Sequence, residues 1–371
     1  MRKMIIDLNA IANNYSAMRK LVNSDSPVKV LGVVKADAYG HGMIPVARKL
    51  EAEGIDYLGV ADLEEALTLR AAGITTRILA WLHDPTDNFV SAIDKDIDLA
   101  VSSRDQLLRI VKAATQLGKV ARIHIKVDTG LGRNGVTMEE LGDLLEAVSQ
   151  EVKAGTITTA GIFSHLSSTG VTEDLAQIEK FEIALDSAKQ AGLEFEVRHL
   201  TASDGTLTYP QARYDMVRIG VALYGLSPFS DNRAAEFGLT PAMTCKATVV
   251  QTKRVPAGSG VSYGYLYKTP VETTLALVPL GYAEGLPRHA SGQASVSVNG
   301  KNYKILSRIA MDQFVIDVGN ASVSPGDEVI VFGPSSPTAD DLADAAGTIN
   351  YEIVTRMGGR FKREYLGAIE G

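Results

Sequence analysis

Up to about residue 235 the chain alternates short β-branched runs with longer helical patterns, and this rhythm restricts the fold more than any other feature. Strands are predicted near Val28–Val34, Tyr57–Val60, Arg77–Trp81, Asp98–Val101, Arg122–Val127, Thr156–Phe163, Phe195–Leu200 and Met216–Ile219. Helix patterns, with apolar residues three or four apart, fall between them at Leu63–Ala71, Asp105–Leu117, Glu139–Val148 and Asp174–Ala191. Ser103 or Arg104 opens one helix, and Gly73, Gly118 and Gly192 close three. Eight strands in this alternation suit a closed parallel (β/α)8 TIM-type barrel better than an open sheet.

After Phe237 the helices drop out. Strand-like segments follow one another at Met243–Val255, Thr274–Pro279, Ala294–Val298, Tyr303–Leu306, Val315–Val318 and Glu328–Phe332, with turn chemistry at Asn299-Gly300 and Pro325-Gly326-Asp327. The expected organisation is a barrel over residues 1–236 and a smaller, mainly antiparallel β-domain over 237–371 with one late helix near Ala339–Ala346.

Composition narrows the function. A net charge of −7 argues against a nucleic-acid partner. The single cysteine, Cys245, excludes an intramolecular disulfide and a Cys-rich metal site. None of the six histidines stands four residues from another, so no metal is expected. Asp7 interrupts the first apolar stretch too early for a signal-peptide core, and no run approaches the ~18 apolar residues of a membrane span. A soluble, cytoplasmic protein without membrane contact is the expectation.

The residues suited to chemistry sit where the strands end. Lys35 follows Val33 and Val34 in VVKADAYGHG. An amine at that point can lose part of its preference for charge and form a Schiff base with an aldehyde, of which pyridoxal phosphate is the commonest protein-bound example. A surface lysine passing a strand end would look the same. Arg133 follows the fifth strand, His165 the sixth and Ser203 the seventh, while Arg218 and Gly220 mark the eighth. In a (β/α)8 barrel all of these face the carboxyl-end loops that build the functional surface, and the last loops with Ser203 suit a phosphate. Taken singly, His165 reads as a hydrogen-bonded structural histidine, Arg218 as an ion-pair partner, Tyr263 as an aromatic on a β-surface, and Met311 and Asp312 as strand and turn residues. GLGRNG at Gly130–Gly135 matches a dinucleotide-binding pattern, but the acidic residue expected after the next strand is replaced by Ser164 and His165. A Gly-rich loop that frees Arg133 is the better reading.

Over nearly its whole length the chain resembles the alanine racemase family. The motifs VVKADAYGHG, KVDTGLGRNG, FSHLSST, RIGVALYG, GVSYGY, PLGYAEGLPR, RIAMDQF and INYEI occur in the family's order and approximate spacing. Leu131, Ala202, Ala310 and Glu284 depart from residues common in the family, and none of these departures removes a reacting group.

The resemblance implies a pyridoxal 5′-phosphate enzyme that interconverts L- and D-alanine, supplying D-alanine for cell-wall peptidoglycan. It implies that Lys35 tethers the cofactor and acts as acid or base on the D side of Cα, with Tyr263 from a second subunit doing so on the L side. A racemase needs a group on each face. Arg218, hydrogen-bonded to His165, would face the pyridine nitrogen. Tyr39, Ser203, Gly220, Val221 and Tyr351 match phosphate-binding positions. Arg133 would contact the cofactor's phenolic oxygen and the substrate carboxylate, Met311 of the partner the carboxylate, and Tyr282 would narrow the entrance. Lys126 matches a lysine often carbamylated in the family. A homodimer with shared sites follows. The alternatives are a racemase acting on serine or a broader set, a related decarboxylase (disfavoured by Arg218 where an acidic residue is usual), and a non-catalytic pyridoxal phosphate-binding protein, disfavoured by the second domain and Tyr263.

Overall fold

The computed structural model describes residues 1–23, 27–230, 233–335 and 337–368. Its strands, in chain order, are β1 Arg2–Asp7, β2 Lys29–Val33, β3 Tyr57–Val60, β4 Arg77–Ala80, β5 Ile97–Val101, β6 Ala121–Lys126, β7 Ile157–Phe163, β8 Val197–His199 and β9 Met216–Ile219. The β-rich remainder adds β10 Met243–Thr248, β11 Gln251–Val255, β12 Gly260–Val261, β13 Tyr267–Lys268, β14 Thr273–Val278, β15 Ser295–Val298, β16 Lys301–Leu306, β17 Phe314–Gly319, β18 Glu328–Phe332 and β19 Lys362–Leu366.

Strands β2 to β9 form an eight-stranded, all-parallel sheet in the order β8-β7-β6-β5-β4-β3-β2-β9. The ring shuts between β8 and β9 through two backbone bonds, Asp215 N–H to the Arg198 carbonyl and Arg218 N–H to the Thr201 carbonyl, each 3.1 Å. All eight strands match the apolar runs read from the sequence, with ends shifted by at most a few residues. They are legible because a parallel barrel buries both strand faces, leaving nearly continuous apolar runs. Helix boundaries follow local chemistry. The Asp62 carboxylate accepts from Glu65 N–H at the start of Leu63–Ala71, and the Ser103 hydroxyl accepts from Gln106 N–H at the start of Arg104–Leu117.

The second sheet has nine strands in the order β11-β14-β17-β16-β15-β18-β10-β1-β19 and is antiparallel except where β1 meets β19. Three features differ from the sequence expectation. The segment Met243–Val255 is two strands, because the chain turns at Val249 and Val250, leaving β10 on β18 and taking β11 to β14. A second late helix, Asn350–Arg356, follows Ala339–Ala346. Finally, the first strand of the chain lies in this sheet, with Lys3 opposite Lys362.

Candidate active site

The carboxyl ends of the barrel strands open onto a cavity of about 1400 Å³. Lys35, Tyr39, Lys126, Arg133, His165, Ser203, Arg218, Gly220, Val221 and Tyr351 all line it. Residues up to 316 positions apart in sequence, from Lys35 to Tyr351, thus meet at one place.

Lys35 leaves β2 in an uncommon backbone. Ala36, Asp37, Ala38 and Tyr39 all have left-handed φ values of 52 to 54°, at a cost of roughly 1–2 kcal/mol per residue. Surrounding contacts hold the turn in place. Ala36 N–H donates to the Glu65 carboxylate at 2.6 Å, Met43 N–H to Asp37 Oδ1 at 2.7 Å, and Arg363 pairs with Asp37 Oδ2 at 2.5 Å. Burial, reinforced by the positive charge of Arg133, lowers the Lys35 pKa against the opposing pull of Glu65. Its neutral amine is therefore more available than that of an exposed lysine.

Opposite Lys35, Gly220 N–H donates to Ser203 Oγ at 3.0 Å, and Ala222 N–H lies 3.5 Å from the same oxygen. A Cβ at Gly220 would fall 2.6 Å from the Tyr39 hydroxyl oxygen, so only glycine leaves the concavity open. Tyr39 packs between Tyr224 and Tyr351, with ring centroids at 4.9 and 6.2 Å. Hydroxyls and backbone N–H groups gathered around a small hollow make an anion cradle.

Arg218 is almost wholly buried. Its Nη1 donates to His199 Nδ1 (3.1 Å) and to the His199 carbonyl (3.3 Å). Its Nη2 donates to the Ser164 and Leu200 carbonyls (2.8 and 2.7 Å) and lies 3.0 Å from His165 Nδ1. Burial and the like charge of Arg133 lower its pKa to about 9, with Asp204 opposing, so the guanidinium stays charged at neutral pH. His165 is held well below its ordinary pKa by burial and then by Arg218, Arg133, Lys126 and Lys35; it is neutral at pH 7. Lys126, over the Phe163 ring at 5.5 Å, is lowered to about 8 by burial, Arg218, Arg133 and Lys35.

The GLGRNG loop is shaped by Asp128, whose Oδ1 accepts from Gly130 N–H (2.9 Å) and Gly132 N–H (3.1 Å). Backbone bonds of 2.8 Å between Asp128 and Val136, and between Val136 and Lys126, close the loop and deliver Arg133 to the cavity. Tyr263, Tyr282 and Met311 do not reach it. They stand on the β-rich part of the chain, 70%, 41% and 54% exposed.

The sequence reading missed a buried chain of polar groups behind Arg218. His199 Nε2 lies 3.1 Å from His124 Nδ1, and His124 Nε2 lies 3.3 Å from Asp98 Oδ2. The available signal was Asp98 as the single polar residue of the otherwise apolar β5; β6 and β8 carry other charged residues, so His124 and His199 do not stand out in them.

Residues 6–228 match the family model for the alanine racemase N-terminal domain, and residues 242–365 match the model for the C-terminal domain. The chain belongs to the alanine racemase family. Among relatives, the alanine racemase of Thermobifida fusca is 48% identical, with 98% of each chain covered. That of Beutenbergia cavernae is 46% identical, again over 98% of each. Among solved structures, the alanine racemase from Streptomyces coelicolor A3(2) superposes with a TM-score of 0.96 at 44% identity, covering 99% of this chain and 98% of that one. The enzyme from a D-cycloserine-producing Streptomyces lavendulae gives the same score and identity, over 99% and 97%. Both family models fall on the chain in order.

Proposed function

We propose that the chain interconverts L- and D-alanine using pyridoxal 5′-phosphate held in the barrel cavity. The observation that carries this reading is the meeting, in one cavity, of an amine with a lowered pKa (Lys35), an anion cradle (Tyr39, Ser203, Gly220) and a buried guanidinium (Arg218). These fit the three demands of that cofactor: an amine for its aldehyde, a cradle for its phosphate and a partner for its ring nitrogen. When bound, the cofactor supplies the electron sink that makes the Cα proton of an amino acid removable.

Lys35 holds the cofactor, and its Nζ takes or returns the Cα proton on the D side. The Tyr263 hydroxyl of a second copy does the same on the L side. The exposure of Tyr263 and Met311 within one chain supports this sharing, since groups that act in a neighbour's site stay uncovered until the neighbour docks. Phosphate binding falls to Tyr39, Ser203, Gly220, Val221 and Tyr351. Arg218 offers a donor to the ring nitrogen and, keeping its own proton, leaves that nitrogen unprotonated. Arg133 binds the substrate carboxylate, which also takes the Met311 backbone N–H of the second copy. Tyr282 of that copy narrows the entrance to a methyl-sized side chain. Carbamylation of Lys126 would turn a cation into an anion able to fix Arg133.

The units are a barrel up to residue 236 and a β-domain over 237–371 that also takes in β1 from the start of the chain, working as a homodimer in the cytoplasm and supplying D-alanine for peptidoglycan. No helix among the described residues is long and apolar enough to cross a membrane. The test is exchange of the Cα proton in D2O. Tyr263→Phe should suppress exchange from L-alanine far more than from D-alanine, and equal suppression of both would refute the two-sided assignment. The same assay with L-serine separates an alanine enzyme from a broader racemase.

A further inference from the structure

Behind the cavity, a line of polar side chains crosses the barrel core from Arg218 through His199 and His124 to Asp98. His124, His199 and Asp98 have no exposed surface. The separations are 3.1, 3.1 and 3.3 Å. At the far end Asp98 also accepts from Arg122, at 3.0 and 3.5 Å, and lies 3.5 Å from Arg77. Arg122 in turn pairs with Glu196 at 2.6 Å.

Proton bookkeeping along this line has one solution. A guanidinium only donates, so His199 Nδ1 must be a bare acceptor. A neutral His199 then carries its proton on Nε2 and donates it to His124 Nδ1. His124 therefore carries its own proton on Nε2 and donates it to the Asp98 carboxylate. The hydrogen bond from His124, with the charge and hydrogen bonds of Arg122, outweighs burial and keeps Asp98 below its ordinary pKa, so it remains an anion. Charging His124 would put a proton on Nδ1 facing the Nε2 proton of His199 and break the line. The relay thus runs from a cation to an anion through two neutral imidazoles of the same tautomer.

We propose that Asp98, His124 and His199 are positioning residues that orient Arg218 by this ordered relay, turning its remaining donor, Nε–H, toward the cavity. Among the described residues, none of the hydrogen bonds of Arg218 uses Nε. Phe163, stacked on His199 at 4.6 Å and 3°, clamps the ring that holds Nη1. The proposal rests on the role given to Arg218 above. None of the three residues touches substrate or cofactor; they act through the guanidinium.

The test combines imidazole NMR with a pair of variants, on the full chain with pyridoxal phosphate and without it. Selective 15N labelling of histidine should show His124 and His199 as neutral Nε2–H tautomers between pH 6 and 8, with slowly exchanging Nε2 protons. A charged His124, or an Nδ1–H tautomer at either ring, would overturn the relay. His124→Gln keeps an acceptor for His199 and a donor for Asp98, whereas His124→Leu keeps neither. His124→Leu should lower kcat by about 10- to 100-fold, by analogy with the loss when the partner behind a metal ligand is removed, with KM for alanine within about 2-fold, and should shift the 15N resonance of the bound cofactor's ring nitrogen. His124→Gln should return kcat to within about 3-fold of wild type and restore the resonance. Equal effects of the two variants would mean that His124 only fills space. If the tautomers are as stated but the cofactor does not bind, the role given to Arg218 fails and the relay stands.

Discussion

Lys126 offers a quantitative test of the cavity's electrostatics. Its ammonium is nearly buried and shares the site with Lys35, Arg133 and Arg218, with Asp128 the opposing charge. Its pKa is pushed from the ordinary 10.5 down to about 8. At about 1.4 kcal/mol per tenfold, keeping that amine protonated costs the folded chain about 3 kcal/mol at pH 7. The sign is opposite to that of a lysine with a carboxylate partner. The cost is fully present below pH 8, and it fades as pH rises from about 8 toward 10.5, because the folded amine is then already neutral while the unfolded one is still losing its proton. Replacing Lys126 by Met keeps a straight side chain over Phe163 and removes the charge. Lys126→Met should therefore raise the unfolding free energy by about 3 kcal/mol at pH 7 and by about half that at pH 9.5, read from urea midpoints of the cofactor-free protein. A variant no more stable than wild type at pH 7, or one whose gain is the same at both pH values, would refute the reasoning. The lowered pKa has a chemical corollary. About one amine in ten is neutral at pH 7, against roughly 0.03% for an ordinary lysine. A neutral amine adds carbon dioxide, forming an N–C bond and releasing a proton, so bicarbonate should stabilise wild type and leave Lys126→Met unchanged.

Three further perturbations probe separate parts of the account. Gly220→Ala would set a methyl 2.6 Å from the Tyr39 hydroxyl; pyridoxal phosphate affinity, measured by absorbance titration, should fall by about 10-fold or more, equivalent to about 1.4 kcal/mol. Ala36→Gly relieves one exposed left-handed residue, worth about 1–2 kcal/mol, against about 0.5–1 kcal/mol of extra unfolded-state entropy. It should raise the urea midpoint slightly, whereas the same change at the right-handed Ala113 should lower it. Glu284 is wholly buried and accepts from Gly281 N–H at 3.0 Å while pairing with Arg2 and Arg360. Arg360 also holds Asp312 at 2.7 Å. Glu284→Gln should cost about 3 kcal/mol by leaving the nearly buried Arg2 without its carboxylate, while Arg360 keeps Asp312, checked by thermal unfolding.

Much of this architecture could be read directly from the chain, and what could not has physical reasons. Barrel strands announce themselves as apolar runs between helical patterns, so Tyr57–Val60 and Met216–Ile219 were predicted to the residue. The carboxyl-end rule gathers Lys35, Arg133, His165, Ser203 and Arg218 from their positions in the chain alone. The pairing of β1 with β19 was invisible because Lys3 and Lys362 are brought together only by the finished fold. The left-handed turn at Ala36–Tyr39 was equally hidden. Ala and Tyr have no preference for that conformation, and contacts from Glu65 and Arg363, distant in sequence, hold it. Asp98 stands out as a lone polar residue in an apolar strand, whereas His124 and His199 share their strands with other charged residues, and the alignment of the three depends on strand register, which a single sequence does not specify. Tyr263, Tyr282 and Met311 illustrate a different limit, since one chain alone leaves them away from the cavity.

The most direct measurement maps the covalent attachment of the cofactor. The cavity holds two amines with lowered pKa values, Lys35 and Lys126, so chemistry alone does not choose between them. Protein loaded with pyridoxal phosphate, reduced with borohydride and digested, should carry the pyridoxyl group on the peptide containing Lys35 and nowhere else. A label on Lys126, or an unlabelled Lys35 in protein that still racemises alanine, would contradict the account.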